Sequence, residues 1–354
     1  MTKNRHFTKN DTAFLKGIAI LLIVIHNYFH WQTGFGIENE DEFSSQNIHV
    51  FINHLYPENW VNTASAIFGF FGHYGVQIFI FISAYGLTMQ RMNNTNFNYR
   101  NYLFKRLKKL YFLLLFAVVV YQVIYTFHFG EVYNLKNTAI KIVLLGTSIS
   151  NFSHTYLYKM ISGPFWFFGL MVQLYIVFPM LFKIVKKYNI YLVFSIAFLL
   201  IYLLYYFDLN TEFSLFGNII GHLPEVLLGI FFALNGKTKP TFSLFAISIF
   251  TFALSQFYGI IFPLSFVSIT IILLFLIQNL KLYSNDFWKN AIVYVGEISM
   301  ILFIVNGIFR VLSPFSIQDM QLRGERIFVY LILLFIVCHF VFKIYNYLYR
   351  KLKI

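Results

Sequence analysis

Two histidines lie at the end of an apolar run near the N-terminus, where an ionisable side chain is costly. The run from Gly17 to Ile25 leads directly into His26, and His30 follows one helical turn later. An imidazole among apolar side chains is expected to stay neutral, so it can accept the proton of an alcohol near neutral pH. The alternative interpretation of His26 is a hydrogen-bonded structural histidine.

The same pair of histidines raises the question of a metal site. Asn27 stands where the HExxH zinc signature has its glutamate, and the neighbouring sequence offers no carboxylate or cysteine to complete a site. We therefore predict no metal centre at His26 and His30.

The elements that must position these side chains follow from composition. The 354 residues are 58% hydrophobic and only 12% charged, whereas a soluble domain carries about 25% charged residues. Apolar runs recur along the whole chain, which predicts a multi-span integral membrane protein and excludes a soluble enzyme, a disordered chain and a disulfide-rich secreted domain. The net charge of +13 is typical of basic cytoplasmic loops, and no signature of nucleic-acid binding accompanies it.

We predict an all-α integral membrane protein, a bundle of about ten transmembrane helices forming one domain over residues 1–354. The spans are placed near 12–30, 64–90, 108–128, 164–184, 189–207, 219–235, 241–258, 260–280, 291–312 and 326–347, since about 20 apolar residues cross the hydrocarbon. With both termini in the cytoplasm, most Lys and Arg residues fall in inner segments and most acidic residues in outer ones.

Six segments of the sequence, taken in chain order, are similar to motifs that occur in the same order in one protein family. They are residues 14–26, 75–87, 105–111, 165–179, 223–229 and 296–306. Together they resemble the acyltransferase 3 family of bacterial membrane O-acyltransferases. The chain departs from the family pattern in having Lys16 for the usual arginine, ten residues before His26 rather than eleven, and Asn306 in place of a late histidine. It is also expected to lack the extracytoplasmic esterase-like domain of some members.

The resemblance implies a function and a set of residues. An acyl group, acetyl being the commonest in the family, would pass from cytoplasmic acyl-CoA to a hydroxyl of a cell-envelope polysaccharide or glycolipid at the bacterial plasma or inner membrane. Acyl-CoA would be a donor substrate, and no permanently bound cofactor is expected. His26 would be the general base, Arg106 and Lys109 would bind the CoA phosphates, and the predicted substrate-binding residues are Lys16, Ser83, Trp166, Gln173, Tyr175 and Asn306.

Each assignment has an alternative. The basic cluster at 100–109 could serve only to orient the protein, Ser83 could only allow close helix packing, and Trp166 could anchor the membrane interface. For the whole protein, the rival function is a transporter or flippase for an envelope glycan or acyl donor, without chemistry. Inverted repeats with paired broken helices, which are common in transporters, are not evident in the sequence.

Overall fold

The computed structural model describes residues 6–352 except 31–37, 57, 95–96, 131–133, 158, 209–210, 311 and 313–319. The described residues are 82% helical and contain no strand. The all-α prediction is therefore confirmed for the part of the chain that is described.

Fifteen α-helices and four short 3₁₀ helices make up this described part. The α-helices are α1 Lys9–Phe29, α2 Ser45–Asn53, α3 Trp60–Phe71, α4 Gly75–Asn93, α5 Tyr99–Phe129, α6 Leu135–Gly146, α7 His154–Leu157, α8 Trp166–Lys187, α9 Ile190–Asp208, α10 Leu223–Leu234, α11 Phe242–Ser255, α12 Ser265–Tyr283, α13 Asp286–Glu297, α14 Ser299–Phe309 and α15 Met320–Lys351. The 3₁₀ helices are Gly72–Tyr74, Ile149–Phe152, Gly163–Phe165 and Gly259–Leu264.

Helix α1 is fixed at its start by a capping box. The Thr8 side chain accepts a hydrogen bond from the Asp11 backbone N–H, and the Asp11 carboxylate accepts one from the Thr8 backbone N–H. These contacts satisfy N–H groups that a helix start otherwise leaves unpaired. Asp11 also forms an ion pair with Lys281 at the end of α12. The first helix is thereby tied to a helix distant in sequence, and it continues without a break to His26.

Helices α1 and α4 lie at the centre of the bundle. Helix α1 packs against α3, α4, α13 and α14, and α4 packs against α10. The α1–α13 contact requires Gly296, because a Cβ there would lie 1.8 Å from the Ala13 carbonyl oxygen. Such close backbone approach is typical of glycine in membrane helix pairs. The residues on α1 are therefore held inside the bundle.

Seven helical segments in the described residues are long and apolar enough to cross a membrane, and an eighth results if α13 and α14 form one span bent by 70°. Two shorter apolar helices, α10 and α11, have 12 and 14 residues. Each of the ten predicted spans overlaps one of these segments. Helix α10 is shorter than predicted because turns precede it and Pro224 lies in its first turn, where the missing N–H is tolerated.

Large apolar side chains cover the outside of the bundle. Phe328, Ile332 and Phe340 on α15 are between 60% and 70% exposed, and Leu199 on α9 is 61% exposed. A contiguous apolar surface of this kind is unfavourable in water and suits contact with lipid. Composition, helix length and surface agree on a multi-pass membrane protein.

Candidate active site

A cavity of about 550 Å³ lies at the C-terminal end of α1, and we call it the histidine chamber. It is lined by Ile23, His26, Asn27, His30, Glu38, Glu40, Asp41, His73, Val76, Tyr121, Met160, Ile161, Ser162, Gly163, Pro164, Trp166, Phe167, Phe303, Gly307, Ile308 and Arg310. Ionisable side chains are concentrated here in an otherwise apolar bundle, which is typical of a functional site.

The imidazole of His26 is held in one orientation. Its Nδ1 lies 2.8 Å from the Gly69 carbonyl oxygen, which can only accept a hydrogen bond. In the neutral ring Nδ1 therefore carries the proton, and Nε2 has the free lone pair. The residue is only 4% exposed, and its Nε2 lies 3.7 Å from Oε1 of Glu38. The unprotonated Nε2 is therefore the ring nitrogen that could accept a proton from a hydroxyl group bound in the chamber.

Glu38 is the residue that most changes the site inferred from sequence. Its carboxylate side chain is 3% exposed and lies 2.8 Å from Nδ1 of His30, and it also faces Nε2 of His26. The expectation that no carboxylate lies near the two histidines is therefore wrong. Glu38 comes from the connection after α1, so its distance from His26 in the fold could not be read from helical spacing.

His73 and Arg310 complete the polar wall of the chamber. The ring centroid of His73, in the 3₁₀ helix between α3 and α4, is 5.4 Å from that of His26. Arg310, directly after α14, donates through Nη1 to the backbone oxygen and Oδ1 of Asn27 at 3.1 and 2.7 Å. Its guanidinium is thus a buried cation fixed one residue from His26. Sequence reasoning had not assigned a role to either residue.

The segment that carries Glu38 is fastened to the outside of the chamber. Nδ1 of His154 lies 3.5 Å from Asp41 and 3.2 Å from Glu42. Next to it, the Thr155 hydroxyl donates to Oε2 of Glu212 at 2.8 Å, and this hydrogen bond holds the pKa of Glu212 below its usual range. Because the folded pKa is lowered, the stabilisation from Glu212 is complete at neutral pH and is lost as the pH falls through the lowered pKa.

A second cavity, of about 490 Å³, lies along the N-terminal half of α1, and we call it the basic chamber. It contains five of the predicted residues: Lys16, Ser83, Arg106, Lys109 and Tyr175. Lys16 reaches it from α1, which is a regular α-helix at this position. Glu297 lines the same chamber. The structure thus brings together residues from α1, α4, α5 and α8 that are far apart in sequence.

Two cations of the basic chamber make cation–π contacts with aromatic rings. The Arg106 guanidinium lies 5.8 Å from the Tyr175 ring centroid and hydrogen-bonds Gln90, and the Lys109 ammonium lies 5.3 Å from the Tyr349 ring. A further cavity of about 460 Å³, which also contains Arg91 and Lys105, shares Gln90, Arg106 and Lys109 with the chamber. The two adjoining cavities form a basic surface large enough for several phosphate groups.

An apolar constriction lies between the two chambers. It encloses about 10 Å³, and it is lined by Ile23, Val76, Phe79, Phe167, Met300 and Phe303. Three of these residues also line the basic chamber and four also line the histidine chamber. The constriction therefore shares its lining with both the chamber that contains the cations and the chamber that contains His26.

The remaining predicted residues lie in different places. Trp166 lines the histidine chamber, with its ring stacked on that of His222 at a centroid distance of 6.5 Å. Gln173 accepts a hydrogen bond from the Ile219 backbone at 2.8 Å, and Asn306 accepts one from the Tyr330 hydroxyl. Neither Gln173 nor Asn306 is among the described residues that line the two chambers.

Comparison with known proteins gives one match. The model of the acyltransferase 3 family, described as an acyltransferase domain, matches residues 13–343. The matched range contains most of α1, most of α15 and every helix between them, and it includes the whole lining of the histidine chamber and of the constriction and most of that of the basic chamber. No curated protein and no solved structure matches the chain.

Proposed function

The chain belongs to the acyltransferase 3 family, and we propose that it moves an acyl group, acetyl in the first instance, from cytoplasmic acyl-CoA to a hydroxyl of a cell-envelope carbohydrate or glycolipid. The family resemblance drawn from six sequence segments is confirmed, and with it a membrane acyltransferase activity. The donor, the acceptor and the catalytic roles below are our proposal.

One observation carries this proposal: a chamber with a buried histidine and a chamber with several cations each share lining residues with the same apolar constriction. Lys16 and His26 are ten residues apart on α1, a rise of about 15 Å. A donor whose phosphates are bound by Arg106 and Lys109 could extend its thioester-bearing arm towards His26 through the constriction. The acceptor would enter the histidine chamber from its other end.

The proposed reaction is a direct transfer without an acyl-enzyme. Nε2 of His26 takes the proton of the acceptor hydroxyl, and the oxygen attacks the thioester carbonyl carbon. Arg310 stabilises the negative oxygen of the tetrahedral intermediate. The carbon–sulfur bond then breaks, and the leaving thiolate receives the proton from His26. Glu38 stabilises the imidazolium that exists between these steps, as a carboxylate 3.7 Å away can do in a buried site.

The distribution of charge supports the proposed membrane orientation. Ten spans with both termini in the cytoplasm would make the basic chamber accessible to cytoplasmic acyl-CoA and direct the histidine chamber outward. The acidic connection that contains Glu38, Glu40 and Asp41 then lies outside, as the positive-inside rule favours. We accordingly place the protein in a bacterial plasma or inner membrane.

The test is an assay of thioester cleavage and acyl transfer by the purified protein in lipid nanodiscs, with radiolabelled acetyl-CoA and an extract of envelope glycans. His26→Ala should reduce transfer by at least about 100-fold, the lower range for loss of a general base. His49→Ala is the matched control, since His49 is exposed on α2. Transfer that survives in His26→Ala would remove the catalytic assignment. Donor or glycan translocation without cleavage would establish the transporter alternative instead.

A further inference from the structure

We infer that the histidine chamber contains a binding site for a divalent transition-metal cation, represented by Zn²⁺, with His26, His30 and Glu38 as ligands. We further infer that bound Zn²⁺ inhibits acyl transfer, and this second part depends on the function proposed above. Glu38 and His30 lie outside the six segments that carry the resemblance.

The first support is the geometry of the three side chains. One ligand atom from each of His26, His30 and Glu38 lies within 4.8 Å of the other two. A four-coordinate zinc ion binds His nitrogens and carboxylate oxygens at about 2.0–2.2 Å, so neighbouring ligand atoms lie roughly 3–4 Å apart. The distances of 2.8 and 3.7 Å that Glu38 makes to the two histidines are close to this range. Small side-chain rotations would complete the site.

The second support is the electrostatics between His26 and Glu38. Nε2 of His26, the nitrogen that does not bind Gly69, and Oε1 of Glu38 both offer lone pairs, and they lie 3.7 Å apart with side chains only 6% and 3% exposed. Two facing lone pairs are unfavourable until a proton donor or a cation lies between them. The acceptor hydroxyl is one such group, and a metal cation is another.

The third support comes from the residues around the three ligands. The Nδ1–H of His26 donates to the Gly69 carbonyl oxygen, which is the second contact that metal-binding histidines usually make. His73 is 3% exposed and lies beside His26 in the chamber wall. Within the described residues, neither of its ring nitrogens meets hydrogen-bond geometry, although the Phe70 backbone lies nearby. His73 does not belong to the group of three ligands, so its ring would have to move closer before it could bind the same ion.

The donor atoms of the three ligands indicate which metal ion the site would bind. Two imidazoles and one carboxylate favour Zn²⁺ and its neighbours over Mg²⁺ or Ca²⁺, which prefer oxygen ligands. The ion can reach the site because the His30 side chain is 26% exposed. Bound Zn²⁺ would occupy the Nε2 lone pair of His26, the same lone pair that must accept the hydroxyl proton. Metal binding and base catalysis therefore exclude each other.

Binding is tested without reference to activity. The purified full-length protein in nanodiscs is titrated with Co²⁺, whose visible absorption reports coordination, and Zn²⁺ is then added to displace it. Glu38→Gln and His30→Ala should each weaken Zn²⁺ binding by at least about tenfold. Glu58→Gln is the matched control, because Glu58 is an exposed glutamate between α2 and α3 that is not used to hold the segment of Glu38. Equal affinity in wild type and Glu38→Gln would overturn the site.

Inhibition is tested on the same samples. Zn²⁺ should suppress acyl transfer by wild type and by Glu58→Gln, and a chelator should restore it. The rate of each variant is expressed relative to the rate of the same variant without Zn²⁺. Half inhibition of Glu38→Gln and of His30→Ala should require at least about ten times more Zn²⁺ than half inhibition of wild type. Stimulation by Zn²⁺, or binding without inhibition, would overturn the inhibitory part. A wild-type protein that binds Zn²⁺ but transfers no acyl group would leave the site standing and refute the proposed function.

Discussion

At the scale of single residues, His26 has a different polar partner on each side of its ring. The Gly69 carbonyl fixes the protonated nitrogen, and Glu38 faces the basic one. A base that activates an alcohol requires one fixed donor nitrogen and one fixed acceptor nitrogen, because a flip of the imidazole ring would exchange their positions. Glu38 adds a negative charge where the imidazolium forms. The lone pairs of His26 and Glu38 can bind a proton, a hydroxyl group or a metal ion. The same cluster therefore supports both the proposed acyl transfer and the proposed zinc binding.

Arg310 is the residue whose substitution separates oxyanion stabilisation from acid–base chemistry. Arg310→Lys keeps the positive charge but removes the paired N–H donors that contact Asn27. Transfer should fall by about 100-fold, as after loss of one oxyanion donor, while the Michaelis constant for acyl-CoA changes little. The measurement is steady-state kinetics in nanodiscs.

The control for that prediction is Arg326→Lys, since Arg326 is exposed on α15. If Arg310→Lys instead raised only the Michaelis constant of the acceptor, with kcat unchanged, Arg310 would be a binding residue. Its place as the donor to the tetrahedral intermediate would then be refuted.

At the scale of secondary-structure elements, His26 depends on a close contact between α1 and the 3₁₀ helix that follows α3. A Cβ on Gly72 would lie 2.6 Å from Cβ of His26 and 2.7 Å from the Leu22 carbonyl oxygen. Gly72→Ala should therefore push the two elements apart and misplace the imidazole. Because a shift of about 1 Å at a reacting group can cost roughly 100-fold, kcat should fall to that extent.

Gly146→Ala is the matched control, because its added Cβ would make only an ordinary contact, 3.4 Å from the Tyr111 ring. Thermal unfolding of both variants in detergent distinguishes local displacement from general destabilisation. A Gly72→Ala protein with wild-type kcat would show that the contact does not position His26.

The size of the constriction leads to a prediction about the length of the acyl chain that the enzyme accepts. Met300 narrows the connection between the chambers together with Phe79 and Phe303. Met300→Ala should enlarge it and raise kcat/KM for butyryl-CoA relative to acetyl-CoA by about tenfold, the effect of one or two methylene groups in an apolar site. Competition between the two donors in one assay measures this ratio directly.

Met89→Ala is the same substitution at a partly buried site on α4, outside the residues that line the constriction. Its donor preference should match that of wild type. An unchanged ratio in Met300→Ala would mean that the acyl group does not pass these side chains.

Much of the basic chamber could be predicted from sequence, whereas half of the histidine chamber could not. Arg106 and Lys109 are three residues apart on α5, so helical spacing places them on one face. By contrast, Glu38 comes from an irregular connection and Arg310 from the end of a bent helix pair. Their distances from His26 depend on tertiary packing, which no local pattern records.

At the scale of the whole molecule, the direction of each crossing determines which compartment each chamber faces. The basic chamber and the N-terminus lie at the same end of α1, so a cytoplasmic N-terminus makes the donor site cytoplasmic. Helices α10 and α11, with 12 and 14 residues, rise only about 18 and 21 Å against a hydrocarbon thickness of about 30 Å, so the crossing of α11 rests on charge rather than on length. Charge argues that it crosses nonetheless, since Lys237 and Lys239 precede it.

A cysteine-labelling experiment decides this point, and the chain has a single native cysteine, Cys338. In a Cys338→Ser background, Lys237→Cys should react with a membrane-impermeant maleimide only after the cells are permeabilised. Tyr258→Cys should react in intact cells, because ten spans place the two positions on opposite sides. Both native side chains are exposed, so protection would reflect the membrane rather than burial.

The pattern of labelling also distinguishes the alternative topologies that have fewer than ten membrane-spanning helices. If α10 and α11 both fail to cross, positions 237 and 258 become reactive from outside together, while Lys351→Cys at the C-terminus stays protected. If only α11 fails, Lys351→Cys becomes reactive in intact cells, because the loss of one crossing inverts every later segment. That result would place the basic end of α15 outside, against the positive-inside rule, and would remove the reason for assigning a cytoplasmic donor.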